Sequence, residues 1–216
     1  MRVLDLFNDH RITGLLLILA FILFAIGGTL PVAGEKGNSR IFTLPAREHL
    51  EAVARNEVVW FRANIFMGIA GFVLLAGLSL LTTILERANE HTFSRLGLVS
   101  FILATVLWVI FSAFRAVVTI RAAQEMSSTG AVPVYYEPLA RWGFALFYIY
   151  AVIGFLALVA YGISLIQAVL LPAWTGWATL IFSIVILIQL FITGDTLPAF
   201  HYVPTLLIGI LLLVRG

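Results

Sequence analysis

The chain has 216 residues, of which 62% are hydrophobic and only 11% charged, with a formal net charge of +2 and a mean hydropathy of +1.06. Soluble domains carry about 25% charge, so the surroundings implied for this much apolar surface are lipid and not water. A small net charge scattered through loops excludes nucleic acid as a partner, and the lack of cysteine excludes disulfides, thiolate metal sites, iron–sulfur clusters and a cysteine nucleophile.

A hydrocarbon core about 30 Å thick is crossed by about 20 apolar helical residues, and six runs of that kind follow one another. The first covers 12–32 and ends around Gly27, Gly28 and Pro31. Arg2, Arg11 and the small residues Ala25 and Gly27 resemble parts of a signal peptide, but the run is longer than a signal core, so it is expected to stay as a span. The longest polar stretch, 33–57, comes next. Within it Thr43 and Pro45 suit a helix start, predicting a short amphipathic helix over 45–56.

The second span is predicted at 58–85 and the third at 96–120, joined by a tight polar link over 86–95. Ser127, Ser128, Gly130, Pro133 and Pro138 predict a loop over 121–137. The fourth span covers 139–170, Pro172 marks a short turn, and the fifth covers 174–192. Gly194, Asp195 and Pro198 form the last turn before a short sixth span at 200–214. Trp60, Tyr135, Tyr136, Trp142 and Tyr202 fall near one set of helix ends, and Trp174 and Trp177 near the other, as interfacial rings do. The expected fold is all-α, a polytopic transmembrane helical bundle of six transmembrane helices, with residues 1–216 forming one domain.

An even number of crossings puts both termini on one face with the 86–95 and Pro172 turns. This terminal face carries five basic residues (Arg2, Arg11, Arg87, Arg95, Arg215). The opposite loop face carries eight (Lys36, Arg40, Arg47, Arg55, Arg62, Arg115, Arg121, Arg141) among more polar residues. By density the two are close, and the expected orientation has the termini in the cytoplasm.

Arg115 is the most informative residue, because a charge within a span costs at least about 2.5–3.5 kcal/mol unless it is paired or reaches water. Thr105, Trp108, Ser112, Arg115 and Thr119 recur at helical spacing and are predicted to face the bundle. A matching stripe in the second span, Asn64, Gly68, Gly71, Leu75, Ser79 and Thr82, is predicted to pack against them. The loop face is expected to gather Glu57, Arg62, Asn64, Arg115, Arg121, Glu137, Arg141, Asp195 and His201. Two readings stay open. Arg115 snorkels to the interface or closes an ion pair with Glu57 or Asp195, or the cluster binds a ligand or ion. Gln167 and Gln189 are expected to be hydrogen-bonding links between helices.

None of the four histidines, His10, His49, His91 and His201, is expected deep in a span, which argues against haem and metal. Retinal would require a buried lysine, and the single lysine, Lys36, falls in a loop. No nucleophile elbow, zinc-protease motif, phosphate loop or pair of intramembrane aspartates occurs. No catalytic residue and no cofactor are expected. The expected partners are membrane lipids and a membrane-protein partner or second copy of the chain.

The entry Arg11-Ile12-Thr13-Gly14-Leu15, the polar link 86–95, the turn Leu171-Pro172-Ala173-Trp174 and the closing helix over 204–209 together resemble a broad group of small bacterial six-span integral membrane proteins of unknown function. That resemblance implies a plasma-membrane bundle with its termini inside and transfers no catalytic residues. The expected function is a non-enzymatic subunit or small-ligand-binding module acting through the loop face. One alternative is a small-solute or ion transporter, with Arg115 and Asp195 on the path and Gly68, Gly71 and Gly154 permitting helix movement. The other is a lipid-modifying enzyme using Asp195 or His201 as acid or base.

Overall fold

The structure, a computed structural model, describes residues 8–35, 42 and 44–215. Among these it is helical throughout, without strands, and six helices are long and apolar enough to cross a membrane. They are α1 (Asp9–Gly34), α3 (Glu57–Arg87), α4 (Thr92–Ala113) continuing through a π-helical turn (Phe114–Val118) into α5 (Thr119–Thr129), α6 (Tyr136–Ala168), α7 (Ala173–Thr193), and α8 (Tyr202–Arg215) entered by a 3₁₀ turn (Pro198–His201). The short α2 (Ala46–Arg55) is the helix expected in the first loop, with Pro45 as its N-cap. Thr43, the expected cap, lies outside the described residues.

Neighbours in sequence are neighbours in space, from α1 to α3, α4, α6 and α7, and α8 packs back on α1 to close the ring. Closure depends on glycine: a β-carbon at Gly14 would stand 2.7 Å from the carbonyl oxygen of Gly209, so only a bare backbone lets α1 and α8 approach this closely. The bundle axis is filled by aromatic rings. Phe24 stacks on Tyr202 at 4.4 Å, Trp108 leans on Tyr150 at 4.8 Å, and His201 stacks on Phe155 at 3.8 Å, all six buried.

The third span runs past its expected end at 120 to Thr129. Arg121, Ala122, Ala123, Gln124 and Glu125 are good helix formers, and Ser127 and Ser128 turn their hydroxyls back onto the Ala123 and Glu125 carbonyls. Gly130, at φ 75°, then ends the helix. The buried face of this extension, Ala122, Ala123 and Met126, packs with Leu50, Ala52 and Val53 of α2 and with Trp60 and Tyr136. A second small core therefore caps the loop face.

The aromatic belt is thinner than expected. Trp60, Tyr136 and Tyr202 are buried, whereas Trp142, Trp174 and Trp177 are each about half exposed. Gln167 and Gln189 are exposed on α6 and α7, and neither side chain links helices among the described residues. The α3 stripe meets α4 as expected at its loop-face half, where Gly71 lies under Trp108 and Gly68 beside Ser112, but farther along Ser79 is exposed and Thr82 meets Tyr161 of α6.

On the terminal face Arg87 pairs with Asp9, and Arg95 with Glu86. Glu90 is 5% exposed there. Its carboxylate accepts from the Phe93 and Ser94 amides at 2.8 and 3.0 Å, and from the Ser164 hydroxyl of α6, so it caps α4 and ties it to its neighbour. Burial alone would raise its pKa, but the hydrogen bonds outweigh it and hold the carboxyl below its ordinary value. A group lowered in this way stabilises the fold above the ordinary carboxylate range, and that contribution disappears as pH falls through the folded-state value. Glu90→Gln is expected to cost about 1–2 kcal/mol at pH 7. The deficit against wild type should shrink in thermal melts below about pH 4, and a deficit constant across that range would remove the carboxylate's charge from the account.

Candidate functional site

The loop-face cluster expected from the sequence is divided by the structure. Glu57 and Arg121 line an open groove of about 720 Å³ on the outside of the bundle, with Val58, Phe61, Val117 and Gln124. There the Gln124 amide donates to Glu57 at 2.7 Å. Arg62 is exposed beside it. Arg141 is 84% exposed and faces Glu137 at 3.9 Å, one turn along α6. Asn64 is buried and donates to the Trp60 carbonyl at 2.8 Å, while its Oδ1 has no partner among the described residues.

Arg115 and Asp195 stay together, in a recess between α1, α4 and α6. The depth of this recess follows from helix lengths: α6 has 33 residues and α7 has 21. Gly194, at φ 73°, ends α7 with its N–H on the Leu190 carbonyl. Phe191 near that end touches Tyr148 of α6. At 1.5 Å per residue the α7–α8 turn thus sits roughly 14 Å below the start of α6, and a notch is left above it.

Two cavities share Phe42, Phe111, Arg115 and Phe144 as a common wall. The upper, about 130 Å³, lies under α2 and reaches Leu44, His49, Thr119 and Tyr136. The lower, about 260 Å³, is walled by Phe24 and Gly28 of α1, Met67, Phe147 and the turn residues from Asp195 to Ala199. Beneath it stand the buried rings of Trp108, Tyr150 and Tyr202, so among the described residues the recess is a cup at one face with a ring-packed floor.

A backbone irregularity holds Arg115 at that wall. In the π turn the Thr119 amide bonds to the Phe114 carbonyl, five residues back, instead of to the Arg115 carbonyl four back. The Arg115 carbonyl accepts the Trp60 indole N–H at 2.9 Å. In hydrocarbon each backbone group needs a partner within the protein, and a side chain of the neighbouring helix supplies this one. The guanidinium carbon stands 4.6 Å from the Trp60 ring centre, 4.9 Å from Phe42 and 5.5 Å from Phe111.

The ion pair expected with Glu57 or Asp195 is not formed among the described residues: Glu57 is engaged by Gln124, and the Asp195 carboxylate accepts from the backbone beside it. Cation–π contacts, each worth about 0.5–2 kcal/mol, take the place of a counter-ion. Asp195 Oδ1 accepts its neighbour's amide, Thr196 N–H, at 2.7 Å. The Thr196 hydroxyl, also at the recess, is buried without a partner.

His201 is not at the loop-face edge. It is fully buried about halfway along α6, with Nδ1 and Nε2 each 3.4 Å from a carbonyl oxygen, of Pro198 and Ala151. A β-carbon at Gly154 would lie 2.7 Å from its ring. This histidine packs the core and does not meet Asp195, so the pair that headgroup acid–base chemistry would use is not assembled. Among the described residues no three His, Asp or Glu side chains gather as a metal site. Phe42 and Thr196 were not singled out from the sequence, and Trp60 was expected only as an interfacial ring. Indole bonding to a freed carbonyl and the placement of Phe42 over Arg115 leave no signal in hydropathy.

Trp60→Phe keeps the ring and removes the N–H. It is expected to cost about 1–3 kcal/mol through the orphaned carbonyl, read as a larger drop in thermal midpoint than Trp142→Phe causes on the exposed face of α6. Equal midpoints for the two variants would dissociate the π turn from the indole bond. No family model, curated protein or solved structure matches this chain.

Proposed function

We propose that this chain is a non-enzymatic binding module of the plasma membrane of a bacterium, holding a small amphiphile in the loop-face recess, alone or as a subunit of a larger membrane assembly. The observation that carries the reading is a partly buried guanidinium with no carboxylate partner among the described residues, lining a cavity that is otherwise mostly apolar. A ligand with a polar head and an apolar body completes both demands at once: the head meets the donors of Arg115, and the body covers Phe24, Met67, Phe144 and Phe147.

The recess sits where such molecules are concentrated. Its floor lies below the top of α6, and Leu197 and Phe144 at its rim are mostly exposed, so entry from the bilayer requires no aqueous path. The transporter reading is less favoured because rings from four helices fill the axis beneath the cup. The enzyme reading is less favoured because Asp195 and His201 face different surroundings.

Gly28→Trp tests the binding reading directly. A β-carbon at Gly28 meets only the Phe24 ring, at 4.0 Å, so the added indole is expected to fill the lower cavity without disturbing helix packing. The expected result is a loss of at least about tenfold in retained lipid by native mass spectrometry, with the thermal midpoint kept within a few degrees. Lipid retention equal to wild type would end the proposal.

Orientation is tested separately, since the chain has no cysteine of its own. Ser128→Cys on the loop face is expected to react with an impermeant maleimide in intact cells, and His91→Cys on the terminal face only after lysis. The reverse pattern would put the recess in the cytoplasmic leaflet.

A further inference from the structure

We infer that the occupant of the recess is a zwitterionic phospholipid with a primary ammonium headgroup, its phosphate on Arg115 and its ammonium on Asp195. This rests on the amphiphile-binding reading above and adds the chemistry of the head. Arg115 and Asp195 wall the same 260 Å³ cavity, carry opposite charge, and are not paired with each other or with any other described ion. Opposite charges near hydrocarbon attract strongly at short range, so two that remain apart in one cavity match a ligand carrying both signs in the complementary order.

A simple anion on Arg115 would face the Asp195 carboxylate, and a simple cation on Asp195 would face the guanidinium. Only a zwitterion meets both favourably while adding no net charge to a site at the edge of lipid. The remaining polar atoms agree. Asp195 uses Oδ1 for the Thr196 amide, which leaves Oδ2 to accept from an ammonium N–H. The buried, unpartnered Thr196 hydroxyl is placed at the same wall to donate to a phosphate oxygen. A quaternary ammonium has no N–H to offer, so a choline head leaves Oδ2 unmet. The apolar lining, from Phe24, Gly28, Met67 and Phe147, favours a molecule with acyl chains over a free soluble zwitterion.

The test uses the full chain in detergent micelles, titrated with short-chain phosphatidylethanolamine, phosphatidylcholine and phosphatidylglycerol, and with chain-free phosphoethanolamine, with bound lipid counted by native mass spectrometry. Phosphatidylethanolamine is expected to bind at least about tenfold more tightly than either other lipid. Asp195→Asn should remove its advantage over phosphatidylglycerol, and Arg115→Gln should weaken all three lipids. Arg115→Lys keeps the charge if the glutamine variant fails to fold, and it should restore part of the binding.

Equal affinity for the three lipids, with Gly28→Trp still abolishing binding, would overturn the headgroup assignment and leave the binding reading standing. Loss of neither affinity nor preference in Gly28→Trp would remove both. Phosphoethanolamine binding as tightly as the intact lipid would overturn the lipid assignment in favour of a soluble zwitterion.

Discussion

The arrangement depends on how one cation is kept at the margin of hydrocarbon without a counter-ion. Arg115 lies about 20 residues along its helix from Arg95, or roughly 30 Å, which is the thickness of the core that helix has to cross. A carboxylate beside it would neutralise the charge and close the space. Phe42, Trp60 and Phe111 instead present ring faces, which moderate the cost of the charge without taking up its N–H donors, for which no described residue acts as acceptor. The π turn is part of the same solution. By shifting one hydrogen bond to a five-residue span, it frees the Arg115 carbonyl for the Trp60 indole and fixes the depth at which α3 and α4 meet. π bulges recur at functional sites because a side chain is re-aimed there at the cost of one regular bond.

Helix length does the rest. A bundle in lipid gains no hydrophobic driving force between its helices, so contacts as close as Gly14 with Gly209 and Gly162 with Gly176 hold it together by fit. Those contacts set where α7 and α8 stand against α1 and α6. With this placement fixed, a 21-residue α7 ending at Gly194 cannot reach the level of the α6 start. The notch is thus a consequence of where one helix stops, and the polar turn that stops it, Asp195 and Thr196, becomes the lower wall of the recess.

The six spans were legible because hydrocarbon thickness imposes a length that hydropathy reads directly. The burial of Thr105, Trp108, Ser112 and Thr119 was legible because a period of 3.6 sorts faces. Less visible was the end of the third span, where two serines and a nearby glycine read as a stop although five good helix formers precede them. Tertiary packing against α2 and the back-bonding serines decided it. His201 was misread for a related reason. A residue three after Pro198 looks interfacial if the turn is assumed to lie at the surface, but this turn is sunk and Gly154 opposite provides the space for a ring. Glu90 passed as one acid in a polar link, since a carboxylate capping the next helix and one bathing in water look alike in sequence. The expected single cluster also separated into an inner recess and an outer groove, because Glu57 and Arg121 line a groove between α3 and α5 that Arg115 does not line.

A binding role and a transport role would ask different things of the same cavity. Transport requires the site to open alternately to both faces, through helices that rock about small residues. Here the small residues at the centre are already committed: Gly71 lies under Trp108 and Gly154 under His201, each with a ring closer than a β-carbon would tolerate. Movement at either position would have to expel a buried aromatic side chain from a packed axis, and such interiors resist continuous deformation. The Thr82 and Tyr161 hydroxyls, joined at 2.8 Å and both near the Leu78 carbonyl, tie α3 to α6 on the terminal side of that axis. A ring-packed floor and a ring-lined wall are therefore the features on which the proposed binding role rests in preference to transport, and the exposed rim at Phe144 and Leu197 is the side from which the proposed amphiphile would enter.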